Sequence, residues 1–285
     1  MNGFELIQDM FSYSFVQNGL IGGVAAAITC AALGVFIVLK RSSLIGEGIA
    51  HMSFGGIAIG LFAGLYPLYT ALIFSLLGTL AISYLHNHKL VYSETAIGIL
   101  ISFGLATGAV VAKMAGGFNV DLFSYLFGDI LTISRQDVYL VGALSIVVMA
   151  VVIIFFKEFM QLTFDEQGSK LAGVPVGALN LLFNVMVALA VVVSIKIVGS
   201  LLVSSLIILP AATALQISKS FKSTVLYSLV ISVIAVVTGL FASFFYDTAT
   251  GGAIVLTSIA LFVLALISRK MTSREEPVPA PSCDK

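Results

Sequence analysis

Long apolar runs separated by short polar breaks dominate this 285-residue chain. A bilayer core about 30 Å thick takes roughly 20 mostly apolar residues to cross as a helix. Runs near 17–39, 48–66, 68–85, 95–113, 137–156, 178–195, 198–216, 224–245 and 251–268 meet that need and predict nine transmembrane helices. Only the turn GLYPLY (64–69) parts the second from the third, and the sixth meets the seventh between Lys196 and Gly199. A half-helix in either pair would make the number eight. Residues 1–16 set Phe4, Ile7 and Phe11 at helical spacing, the pattern of a short helix lying at the membrane surface. That stretch carries Glu5 and Asp9 and no basic residue after Met1, so no secretory signal is read there. Residues 17–268 form the transmembrane domain, with a long polar loop at 157–177, and the polar, Pro-rich stretch 269–285 predicts a disordered tail.

Composition sharpens this. The chain is 59% hydrophobic and only 10% charged, with a mean hydropathy of +1.12, where a soluble domain carries about 25% charged residues. An all-α, polytopic membrane protein follows. Fourteen basic residues against fourteen acidic ones exclude a basic nucleic-acid surface as the main theme. With the N-terminus outside, eleven Lys and Arg fall in inner segments: Lys40, Arg41, Lys89, Lys157, Lys170, Lys219, Lys222 and four beyond 268. Only Lys113, Arg135 and Lys196 face outward. The excess places the C-terminus in the cytoplasm. Cys30 and Cys283 form no metal or disulfide pattern. Gly19/Gly23, Gly56/Gly60/Gly64 and Gly104/Gly108 are small-xxx-small patterns that let helix backbones approach closely.

The chemistry concentrates in SLIGEGIAHMSFGG (43–56). Glu47 and His51 stand four apart and share one helix face. Ionisable groups within a span are costly and face a partner or a water-filled cavity. The pair is either a hydrogen bond that fixes helix packing or part of a cation pathway; carboxylate plus imidazole suits Mn²⁺, Fe²⁺ or Zn²⁺. Gly48 and Ala50 on its flanks would let two copies of this helix come close. His86 and His88, beside Lys89, read as a solvated inner loop or a metal-handling one. The outer segment 114–137 mixes Asn119, Asp121, Asp129 and Asp137 with aromatic residues, as an entrance surface or a capped re-entrant helix would. In the inner loop, Asp165 caps a short helix over 166–172 that Gly173 and Pro175 end. That helix is either a connector or a docking element for another protein.

Five stretches carry a family resemblance: LGVFIVLKRSSLIGEGIAHMSFGGIAIG (33–60), LFSYLFGDIL (122–131), FDEQGSKLAGVPV (164–176), VGSLLVSSLIILPAATA (198–214) and TGGAIVL (250–256). In this order they resemble the ABC-3 family, the membrane permeases of bacterial manganese, zinc and iron importers. The resemblance implies a type II ABC importer-like permease in the cell membrane that works as a homodimer with two cytoplasmic ATPase subunits and an extracytoplasmic metal-binding protein. It implies that Glu47 and His51 line the ion's path, and that Asp165, Gln167, Ala172 and Gly173 contact the ATPase. Pro210 lies in a stretch that matches the family; physically it breaks one helical hydrogen bond and kinks the seventh span, which would shape the pathway wall, while Asn119 and Asp121 stay candidates for an outer entrance on the polar segment alone. The cargo is then Mn²⁺, slightly favoured, or Zn²⁺ or Fe²⁺, with no cofactor in this chain.

The chain has no G-x-x-x-x-G-K-[ST] phosphate cradle, so ATP is expected on the partner subunit and this chain is expected not to be an enzyme. The alternative is a secondary transporter driven by an ion gradient. That reading asks for an inverted repeat with broken helices in both halves, and Pro210 has no counterpart in the first half. An intramembrane enzyme would need a second catalytic group deep in another span.

Overall fold

The computed structural model describes residues 13–88, 91–117, 120–129 and 132–272, with the backbone alone at 86–87, 120–121 and 271–272. Every regular element among them is a helix. The first half holds α1 (Ser14–Leu39), α2 (Leu44–Phe62), α3 (Pro67–Asn87), α4 (Ser93–Met114), α5 (Val120–Phe127) and α6 (Arg135–Ile154). The second holds α7 (Phe156–Phe164), α8 (Glu166–Leu171), α9 (Val176–Val198), α10 (Val203–Ile217), α11 (Phe221–Tyr246) and α12 (Thr250–Thr272). All nine predicted spans are present as helices. Eight are long and apolar enough to cross a membrane, and α10, at 15 residues, is shorter.

Local chemistry sets the helix ends. Ser134 and Asp137 close a capping box at the start of α6, and Ser220 and Ser223 close another at α11. Pro67 opens α3, where its missing N–H costs nothing. Gly199, at φ +88°, ends α9 in the left-handed region.

The hydrogen bonds between helices fix their directions. Lys40, just past α1, donates to Asn180 Oδ1 near the start of α9, and Cys30 Sγ lies 2.9 Å from Ser194 Oγ near its end. So α9 runs antiparallel to α1. Ser228 and Ser232 of α11 donate to the carbonyls of Ala31 (3.3 Å) and Ala27 (3.0 Å), so α11 is antiparallel to α1 as well. With α9 and α11 pointing the same way, α10 must return between them and is itself a crossing. At 1.5 Å per residue it covers only about 22 Å. The turn at 199–202 supplies the rest. Its Ser200 and Leu201 N–H groups donate to the Tyr125 (2.8 Å) and Leu126 (3.2 Å) carbonyls of α5. Non-helical backbone at such depth is tolerated only where protein satisfies it.

Helices α1, α2 and α9 are the most buried, and the others expose a lipid-compatible side. Glycines set the closest approaches. A Cβ at Gly104 of α4 would sit 2.7 Å from Met52 N and overlap the His51 carbonyl. Gly56 and Gly60 admit Thr70 and Phe74 of α3 in the same way. Gly64 departs from the predicted stripe: it lies beyond the end of α2 at φ +67° with open space around it, so it makes the turn and packs nothing. Helix α12 runs on through Arg269 and Lys270 to Thr272, so the first four residues of the predicted tail are helical. The expected surface helix at 1–16 lies mostly, and the tail from 273 wholly, outside the described residues.

Candidate functional site

Helix α2 begins at Leu44, four residues after Lys40, and puts Glu47 in its first turn. A carboxylate is stabilised there by the helix dipole. His51 follows one turn later. Its Nε2 lies 4.0 Å from Glu47 Oε1, an ion-pair distance rather than a tight hydrogen bond. The imidazole is buried (7% exposed) and the carboxylate half-open (43%). His51 Nδ1 is buried with no hydrogen-bond partner among the described residues. Behind the pair the walls are tight: Gly104 abuts the His51 backbone, Gly48 abuts Ile97 of α4, and Ile207 of α10 reaches Gly46. This corrects one expectation. Gly48 packs on α4 of its own chain and Ala50 is buried, so neither flank is free to admit a second copy. Among the described residues no group of three or more His, Cys, Asp or Glu gathers in a metal-holding cluster. The pair therefore offers two ligands and leaves a shell incomplete.

Pro210 is buried inside α10, one turn beyond Ile207. His88 stands against Tyr84, ring centroids 4.4 Å apart. The side chains of His86 and Asp121, and all of Lys89 and Asn119, lie outside the described residues.

The inner loop folds as expected around Asp165. Its Oδ1 accepts from Gly168 N at 2.7 Å, which caps α8, and Gly173 ends the segment at φ +80°. Asp165, Gln167, Ala172 and Gly173 are all exposed. Sequence reasoning passed over Leu171, which α8 holds 90% exposed at its tip. An apolar residue so presented on a polar loop was the available signal. Helix α8 is tied to the site by a short relay. Asn180 Nδ2 donates to Glu166 Oε1 at 3.4 Å, and Asn180 Oδ1 accepts from Lys40. Burial holds the Lys40 ammonium below its usual range against the opposing pull of Glu166.

A second polar cluster went unread in the sequence. Asp137, 1% exposed, accepts at Oδ2 from Lys196 Nζ, Ser134 N and Ser134 Oγ, each at 2.7 Å, and at Oδ1 from the Tyr66 hydroxyl. Lys196 Nζ also stands 5.5 Å from the centre of the Tyr125 ring. Burial first, then the bond to Asp137, raises the Tyr66 hydroxyl above its usual range. Asp137, grouped by sequence with a possible entrance surface, is thus an internal junction of α6, α9, α5 and the α2–α3 turn. It sits at the end of α9 opposite Asn180.

The comparisons agree with this architecture. The sequence profile of the ABC 3 transport family matches residues 12–269. The manganese import system permease protein ScaB of Streptococcus gordonii is 34% identical over 261 residues, covering 92% of this chain and 94% of ScaB. The high-affinity zinc uptake system membrane protein ZnuB of Haemophilus influenzae is 31% identical over 258 residues, covering 90% of this chain and 99% of ZnuB. Among solved structures, PsaBC from Streptococcus pneumoniae in complex with Fab superposes with a TM-score of 0.85 at 32% identity, covering 95% of this chain and 99% of that one. With a family profile spanning nearly all of its length, this chain belongs to the ABC 3 transport family.

Proposed function

We infer that the chain is the membrane-spanning permease of an ATP-driven importer of a divalent transition metal ion, manganese slightly ahead of zinc or iron. The Glu47–His51 pair carries the reading: a buried imidazole with an unpartnered ring nitrogen beside a half-exposed carboxylate. An inert packing bond would satisfy both groups, and this arrangement leaves a ligand unused. Nitrogen and oxygen donors without thiolate suit Mn²⁺ and Zn²⁺ and disfavour Cu⁺. The relatives named as manganese and zinc permeases support the same cargo. Two copies across a two-fold axis would bring two carboxylates and two imidazoles, whose two negative charges offset the ion. An incomplete shell also serves a transporter, which must release what it binds.

On this reading the Lys-rich end bearing α8 faces the cytoplasm and the N-terminus lies outside. Helix α8, with Asp165, Gln167, Ala172, Gly173 and Leu171, docks into one of two ATPase subunits. Pro210 belongs to the pathway wall, and Asn119 and Asp121 face an extracytoplasmic metal-binding protein. Residues 17–268 are the core of the permease domain, with α1 starting at Ser14 and α12 running to Thr272, so the proposed surface segment ends before 14 and the proposed cytoplasmic tail begins after 272.

The test is metal uptake per molecule of folded protein in cells lacking the native chain. Glu47→Ala and His51→Ala should each abolish uptake of Mn²⁺ or Zn²⁺ at normal membrane abundance, and Glu47→Asp should keep part of it. Normal uptake per molecule in His51→Ala would sink the pathway role.

A further inference from the structure

At the Lys-rich end of the bundle, on the outer side of the chain, a groove of about 690 Å³ opens between the α6–α7 corner and the start of α11. That is within the range of ligand pockets, roughly 300–1,000 Å³. One wall is apolar and turned outward: Ile153, Ile154 and Leu226 are 68%, 69% and 59% exposed. In a membrane protein such a wall faces acyl chains. The floor is firm, because Phe156 packs against Phe221, ring centroids 5.6 Å apart. Three charged residues line the groove: Lys157, Lys222 and Glu158. Both lysines are exposed and neither forms an ion pair among the described residues. Glu158 is the reverse: its Oε2 is buried with no hydrogen-bond partner among the described residues.

We propose that this groove binds one phosphatidylglycerol molecule, its phosphate between Lys157 and Lys222 and a headgroup hydroxyl donating to Glu158. The charges choose the class. Two ammonium groups and one carboxylate leave a single positive charge, which a monoanionic lipid neutralises. Phosphatidylethanolamine, with no net charge, leaves that excess in place. Phosphatidic acid, a phosphate monoester that gives up its second proton readily beside two ammonium groups, overshoots the single positive charge and is then left with no O–H to satisfy the orphaned carboxylate oxygen, a group that is costly to leave bare. Basic pockets between helices at the membrane surface favour anionic headgroups on the same grounds. Lysines at such a boundary can lay their stems on an apolar wall and keep their ammonium groups at the interface. The site asks only that the chain sit in a bilayer and does not depend on the metal-import reading.

The experiment is lipid retention. Protein purified from membranes in mild detergent is exchanged into vesicles of phosphatidylethanolamine with and without phosphatidylglycerol, and bound lipid is counted by mass spectrometry. Wild-type protein should hold phosphatidylglycerol selectively. Lys157→Gln with Lys222→Gln should cut that retention about thirty-fold, from the usual worth of two surface lysines toward anionic lipid. The Lys→Arg pair, which keeps the charge and guards against a folding artefact, should retain it. Glu158→Gln should still bind anionic lipid but lose its preference for phosphatidylglycerol over phosphatidic acid. Equal retention of phosphatidylethanolamine by the wild type, or unchanged retention in the double glutamine variant, overturns the proposal. So does efficient disulfide crosslinking of a Leu226→Cys chain to a second copy, which would make the groove a protein interface.

Discussion

His51 keeps Nδ1 in the interior without a partner among the described residues, a deficit worth about 1–3 kcal/mol if nothing ever met it. In the proposed pathway role an intermittent ligand would offset that cost. Asp137 shows the opposite economy. Each of its oxygens has a donor, and Lys196 supplies the balancing charge. Removing one partner of a buried pair leaves the other uncompensated, typically at 3–5 kcal/mol. Lys196→Met should therefore lower stability by about 3 kcal/mol or more, read as a large fall in thermal unfolding temperature in detergent. The double variant Asp137→Asn, Lys196→Met should recover a substantial part of that loss, because no charge is then stranded. Equal stability of the single variant and the wild type would show the pair to be dispensable.

At the scale of elements, α8 is a six-residue helix that owes its form to the Asp165 cap and its display to the turn at Gly173. It buries little of its own surface, so changes at its tip should leave the bundle intact. Leu171→Asp should leave membrane abundance unchanged while cutting uptake at least ten-fold and removing stimulation of the partner's ATP hydrolysis. Gly173→Val, which forces a branched side chain into positive φ, should act in the same direction. Wild-type transport and stimulation in both variants would dismiss α8 as the docking element. The relay from Glu166 through Asn180 to Lys40 gives a physical route from this helix to the start of α2, four residues on, where the Glu47 turn begins. The Asp137 junction anchors the far end of α9, roughly 24 Å away at 1.5 Å per residue. A movement at α8 would thus reach the start of α2 through side chains at one end of a rod that is pinned at the other.

At the scale of the molecule, on the proposed reading one chain brings two metal ligands where a divalent ion takes four or more, so the functional unit is expected to be a symmetric pair. Crosslinking in membranes from cells active in uptake should trap a homodimer, and only monomers in such a preparation would count against the shared site. Since Gly48 and Ala50 already pack within their own chain, in the proposed dimer the ligands would meet through the open side of Glu47 rather than by close contact of the two α2 backbones.

Apolar runs along the chain were enough to mark nine helical segments and to leave eight or nine as crossings, because the length and apolarity of a span answer to the bilayer and need no tertiary partner. The sequence by itself determined the α8 cap and its glycine end for the same local reason, and it marked Glu47 and His51, because ionisable side chains stand out in an apolar run. The crossing by α10 could be settled only by the directions of α9 and α11 and by the α5 carbonyls that hold its leading turn. Asp137 and Lys196 are 59 residues apart, and neither sits in a pattern that announces the other. Which glycines are packed and which merely turn the chain likewise depends on the neighbour opposite. Local periodicity and capping act over a few residues and are legible along the chain, whereas the pairing of buried charges and the closing of backbones are properties of distant segments brought together.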